Sequence, residues 1–302
     1  MSKKTQRGEL VPRQAREAIA ASVHGSDGRP AQGVQRSIIK VLGVQRPLVL
    51  AYVRRLRSKA PQATAEQLAL LAERDYLRTV TGTGAAGGAS AVIPGVGTLA
   101  SLGISAGVTV LFLEASALYA QTMAELHGVA VEDPEHARAL VMAVMLGDEA
   151  AGLLAGVSEQ IVSGKAPGTW GAAFAVATGR GGSFSGLAKE LQARFLRHLA
   201  RTQTAGLLGR AMPFGIGAAV GGISSRVLGR RVVRSARSAF AALPPLGWAD
   251  LDRAVAQAPS SEAEVRRLVA AEASDHEELR RQPTLSPHTC ATSTMPSMRT
   301  KQ

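Results

Sequence analysis

From Thr79 to Leu113 the chain runs thirty-five residues without a charged side chain, TVTGTGAAGGASAVIPGVGTLASLGISAGVTVLFL, and Glu114 ends the run. Gly82, Gly84, Gly87, Gly88, Gly103 and Gly107 fall among alanine, serine and valine. Small residues four apart, Gly84 with Gly88 and Gly103 with Gly107, leave a helix face almost bare, and two helices can approach closely along it. Each helical glycine costs ~1 kcal/mol against alanine, so several together imply packing that offsets the loss. Pro94 and Gly95 split the run, because proline cannot continue a helix and glycine accepts turn geometry. With Gly97 they form a tight PGVG corner between two helical arms.

A second block, Gly206 to Phe240, repeats this chemistry. The stretch with Pro213, Gly215 and Gly217 resembles that with Pro94, Gly95 and Gly97 in chemistry, and Gly217 lies four residues before Gly221. The low aromatic content, 4% against 46% hydrophobic residues, suits close-packed helices rather than a β-sandwich. The expected fold is therefore all-α, a compact multi-helix bundle built on glycine-zipper helical hairpins. Residues 1–33 are basic and aperiodic, and 283–302 are polar with several prolines. Both segments are expected to be disordered around one helical domain at 34–282. No apolar stretch follows the early lysines, so no secretory leader is expected.

Local signals place the helices. Pro47 starts a helix that runs to about Lys59. Thr64 and Gln67 have capping-box spacing, predicting a helix over 65–80 before the two arms. The second arm should run to His127 and stop at Gly128. Asp133, Pro134 and Glu135 are a cap, a first-turn proline and a dipole-favouring acid, predicting a helix over 134–162. Further helices are expected over 187–204, near Trp248, and over 262–281, the last opened by Ser261 and Glu264.

Charge is placed in blocks. Residues 1–60 hold 13 basic and 3 acidic residues, residues 61–190 hold 6 and 12, and residues 191–249 hold 9 arginines and no acid. Two basic blocks bracketing an acidic, apolar middle are footprints for phosphate groups, of anionic lipid or nucleic acid. Arg46, Arg54, Arg55 and Arg57 supply the first candidate membrane or anion contact. Arg226, Arg230, Arg234 and Arg237, on one helical face, supply the second. The structural reading of the first set is a packed helix with a solvated arginine face.

Catalytic and cofactor signals are weak. Gly82 to Gly87 matches the dinucleotide fingerprint in letters, but no strand precedes it and no acid follows before Glu114, which argues against nucleotide binding. Glu114, Gln121 and Glu125 share one helical face, and Asp148 and Glu149 interrupt another apolar stretch. They line a groove, pair with arginines, or carry a function. His127, His136 and His198 have no metal-ligand spacing, and no nucleophile, base and acid assemble. The expectation is no enzyme, no cofactor and no metal. The single cysteine, Cys290, excludes a disulfide framework within the chain and fits a reducing compartment.

The IPGVGTLASLGISAGVTVLFLEASALYAQTMAELHG and AMPFGIGAAVGGISSRVLGRRVVRSARSAF stretches resemble the two glycine-rich regions of the bacterial EcsC family, over roughly residues 65–242. The resemblance implies a helical fold and a link to transport or secretion, and it brings no catalytic residue. Three function classes stand. The first is a membrane-associated accessory or interaction protein, cytoplasmic and peripheral on the inner face of the cell membrane, with an anionic membrane surface and an unspecified protein as partners. The second is a soluble helical scaffold. Nucleic-acid binding is disfavoured, because the basic blocks lack interleaved aromatics for base stacking.

Overall fold

Helix starts follow the local chemistry of the chain. In the computed structural model, residues 39, 42–90, 98–152, 184–208, 216–261, 263–268 and 270 are described. They form α1 (Arg46–Lys59), α2 (Ala65–Ser90), α3 (Thr98–Leu126), α4 (Pro134–Leu146), α5 (Phe184–Leu208), α6 (Ile216–Phe240) and α7 (Trp248–Ala256). No strand occurs among the described residues, so the all-α expectation holds. The segments 1–33 and 283–302 lie outside the described residues, as do Pro94, Gly95, Gly97, Pro213 and Gly215.

Three caps form as their spacing requires. The Thr64 N–H donates to Gln67 Oε1 at 2.9 Å and the Gln67 N–H donates to Thr64 Oγ1 at 3.3 Å. Asp133 Oδ1 accepts from the N–H groups of Glu135 at 2.6 Å and His136 at 3.2 Å, which holds its carboxyl below the usual range. Glu264 Oε2 accepts from the Ser260 N–H at 2.9 Å, while its own N–H donates to Ser261 Oγ at 3.1 Å. These bonds satisfy donors that a helix start leaves open. At its far end α3 gives way to Gly128, whose φ of +74° lies in the left-handed region that favours glycine.

Two helices end elsewhere than expected. α2 continues past Val80 to Ser90, so the first arm of the apolar run is the second half of one helix. Gly84 and Gly87 are pressed by neighbouring helices, while Gly82 has nothing within 4 Å of where a Cβ would stand. A Cβ at Gly84 would lie 2.6 Å from the Gly221 carbonyl oxygen, and one at Gly87 would collide with Val108 Cγ2. The helix expected over 134–162 stops at Leu146 instead. Gly147 takes φ +61°, helix resumes at 148–152, and residues 153–162 of the expected helix lie outside the described residues.

The C-terminal part of α3 is the buried stretch of helix at the centre of the described bundle. Every residue from Tyr119 to Leu126 is buried, with α1, α2, α4 and α6 packed around it. The most extensive helix contact is that of α2 with α6. The two run antiparallel, with Gly84 against Gly221 toward one end and Glu73 against Arg237 toward the other. Gly229 sits between these points, against Val80 and Leu77. One hydrophobic cluster joins Leu42 to Leu251, drawing residues from α1 through α7.

Candidate functional site

The first basic set is largely taken up inside the fold. Arg46 donates through Nε to Glu125 Oε2 at 3.1 Å and through Nη2 to Glu125 Oε1 at 2.8 Å, a bidentate fork. Its Nη2 also reaches Gln257 Oε1 at 3.1 Å, and Nη1 stands 3.6 Å from Glu132. The hydrogen bonds it donates to Glu125 raise the Arg46 pKa, so the guanidinium is held charged. Glu125 itself is only 5% exposed. Arg57 pairs with Asp252 at 3.2 Å, donates to the Ala63 carbonyl, and lies 4.0 Å over the Trp248 ring. Arg54 donates to the Ala258 carbonyl at 3.4 Å. Arg55 is exposed and has no acidic partner among the described residues. The arginines of α1 therefore tie it to α3, to α7 and to the segments flanking α4 and α7.

The second set faces outward. Arg226, Arg230 and Arg234 on α6 are exposed, and none forms an ion pair among the described residues. Arg237 differs, since its Nη2 lies 2.6 Å from Glu73 Oε2 and its Nε donates to the same oxygen at 2.9 Å. Arg231 is also exposed and forms no ion pair among the described residues. Val220, Ile223 and Val227 share this outer face and are exposed, with Ile223 at 64%. At 100° per residue they line up with Arg230, Arg231 and Arg234, so the face is apolar in its first half and cationic in its second. The periodicity of the arginines was legible in the sequence. That the opposite face of α6 is filled by glycines packed on α2 was not.

Among the small residues, Gly84 and Gly88 meet Gly221 as four-apart spacing allows. Gly107 is exposed, with nothing within 4 Å of where a Cβ would stand, so the Gly103/Gly107 face is not packed at Gly107. Gly103 and Gly217 lie within α3 and α6, where their surroundings fall outside the description. Gly82 to Gly87, the dinucleotide-like letters, sit inside α2 and form no phosphate-binding loop.

The carboxylates divide three ways. Glu125 is paired with Arg46. Asp148 and Glu149 are exposed at the helical residues that follow the Gly147 turn, and Glu149 stands 3.5 Å from His198 Nδ1. Glu114 is half-buried on α3 with no partner among the described residues, and burial raises its pKa. Tyr76 and Tyr119 stack with ring centroids 4.8 Å apart, and the Tyr76 hydroxyl shares a 2.8 Å hydrogen bond with Ser116 Oγ. These groups are buried, and they read as a packing contact between α2 and α3.

The cavity lined by Arg46, Gln121, Glu125, Val129 and Val131 measures about 10 Å³, room for about one water and too small for an organic ligand. No group of three or more potential ligands able to hold a metal occurs among the described residues. Among the same residues no helix is long and apolar enough to cross a membrane. Comparison of the chain with protein-family models, curated proteins and solved structures found no match. The geometry of this chain is what a functional reading rests on.

Proposed function

We propose that this protein is a membrane-associated accessory or interaction protein of the EcsC type, without catalysis of its own, that docks on the anionic inner face of the cell membrane. A role beside a transport or secretion system would follow from that type. One observation carries the reading: Arg226, Arg230, Arg231 and Arg234 stand exposed on the outer face of α6 with no acid beside them among the described residues. Near an anionic bilayer each such cation contributes about 1 kcal/mol, screened within a Debye length. The Gly84/Gly88 contact with Gly221 serves in this reading as a glycine zipper. It holds α6 by its bare face and leaves the arginine face outward. Of the first basic set, Arg55 adds to the anion-facing charge, while Arg46 and Arg57 serve the fold.

The test is cosedimentation with vesicles of phosphatidylcholine alone and of phosphatidylcholine with phosphatidylglycerol. Binding should appear only with the anionic vesicles, weaken as salt rises, and be lost in the R226E/R230E/R234E variant while its thermal transition stays in place. Equal binding to neutral vesicles, or none to anionic vesicles at low salt, would remove the reading. A soluble scaffold is the second reading, favoured by the internal use of Arg46 and Arg57, and the second of those outcomes would select it.

A further inference from the structure

Three charge-free helix segments, drawn from the two distant glycine blocks, pack side by side at one end of α2. Contacts fix their relative level. Gly87 on α2 lies opposite Val108 on α3, Gly84 lies opposite Gly221 and Ser225 on α6, and Val80 lies opposite Gly229. α2 is thus antiparallel to both neighbours. Counting from those contacts, Glu114 on α3 and Arg226 on α6 both come level with about Thr81 on α2. The first charge on α2 itself, Arg78, is one turn further, within about 5 Å along the axis. The charges on all three helices therefore begin near a single plane.

Beyond that plane stand residues 79–90 of α2, 98–113 of α3 and 216–225 of α6, with no ionisable side chain. At 1.5 Å per residue these segments are about 18, 24 and 15 Å long. One leaflet of a bilayer's hydrocarbon core is about 15 Å thick, half of the ~30 Å total. Three of the exposed large apolar residues, Leu111 at 48%, Val220 and Ile223, lie beyond the plane, and Val227 and Leu228 follow Arg226 just behind it, while Leu70 and Trp248 stand elsewhere. Gly82, Ala86, Ala89 and Gly107 are exposed on the same side. Just behind the plane come exposed Arg74 and Arg78 on α2 and Arg226, Arg230, Arg231 and Arg234 on α6.

We infer that this end of the three helices enters one leaflet of an anionic bilayer, monotopically, with the α6 arginines at the level of the lipid phosphates. An apolar tip one leaflet deep behind which a collar of guanidiniums begins matches the layering of a bilayer, apolar chains and then anionic headgroups. The inference rests on the membrane reading above and adds its depth and orientation.

The experiment uses the full chain with Cys290→Ser and a single cysteine introduced at Ile223, Leu111, Leu70 or Ser238, each carrying a nitrobenzoxadiazole label. Leu70 and Ser238 are exposed controls about 17 and about 18 Å behind the plane. Vesicles of phosphatidylcholine and phosphatidylglycerol should raise emission severalfold at 223 and 111, and acyl-chain nitroxide lipids should quench both. The 70 and 238 labels should stay unchanged and open to aqueous iodide. If the protein sediments with the vesicles but 223 and 111 remain open to iodide, surface docking stands and insertion is overturned. Equal chain-depth quenching at 70 and 238 overturns the orientation. A failure to sediment overturns the membrane reading and this inference with it.

Discussion

α1 and α6 are both basic helices, yet they are held in opposite ways. α1 is fastened through its arginines, since Arg46 grips Glu125 and Arg57 lies between Asp252 and the Trp248 ring. α6 is fastened through its glycines, with Gly221, Gly222 and Gly229 pressed on α2. The first arrangement consumes positive charge inside the fold, and the second leaves it in the solvent. Net charge of a segment is therefore a poor guide to what a helix offers a partner. What lies on the opposite face decides.

The largest blow to this contrast should come from Gly221→Leu. The new side chain would collide with the Gly84 carbonyl and the Gly88 backbone, neither of which can rotate away. Because the clash is with backbone, the cost should exceed the ~1–3 kcal/mol usual for overpacking, and thermal unfolding should show it. Unchanged melting would mean that α6 is not held by its glycine face.

Next comes Arg46→Ala. It strands Glu125, which is 5% exposed, without its cation. Breaking a buried pair costs ~3–5 kcal/mol, and the lower end is expected because Arg46 retains some exposure. Urea denaturation measures it. A loss no larger than that of an α6 arginine would erase the distinction between the two helices.

Arg230→Ala or Arg234→Ala should leave stability within ~0.5 kcal/mol, as exposed and unpaired residues do. Each should weaken binding to anionic vesicles by ~1 kcal/mol, about fivefold. Arg237→Ala should weaken it less, because that charge already answers Glu73 at 2.6 Å. Equal losses from Arg237 and Arg234 would show that ion pairing on α6 does not matter to the surface.

The smallest effect belongs to Glu114→Gln. Burial raises the Glu114 pKa in the fold above its value in the unfolded chain. The ionised carboxylate is therefore unfavourable in the fold at neutral pH, and that penalty disappears as pH falls through the raised value. The Glu114→Gln variant should melt slightly higher than the parent at pH 7, and the two should converge under acid conditions. A lower melting point at neutral pH would mean that the carboxylate has a partner that stabilises it.

Local chemistry was legible wherever its partners lie three or four residues apart. The Thr64/Gln67 box, the Asp133 cap, the Gly128 stop and the alternation of arginines along 226–237 all form as their spacing indicates. The end of α2 was not legible. Nothing in the residues around Val80 says that α3 and α6 will pack on Gly84 and Gly87 and keep them helical. The end of α4 was missed for a related reason. Gly147 inside an apolar run reads as one more small residue until the left-handed turn is seen.

The candidate surface divides in the same way. From the sequence came the charge-free run, the second glycine block and the nine arginines of 191–249 without an acid. The sequence alone thus determined helical class, helix starts and which segments are cationic, because caps, periodicity and charge counts depend on near neighbours. The tertiary structure decided which arginines find carboxylates, with Arg46 meeting Glu125 seventy-nine positions away and Arg237 meeting Glu73 across 164. It also decided that charges on three helices begin at one level, since register between helices is set by contacts such as Gly84 with Gly221. Those contacts depend on shape over long separations, which no local pattern encodes.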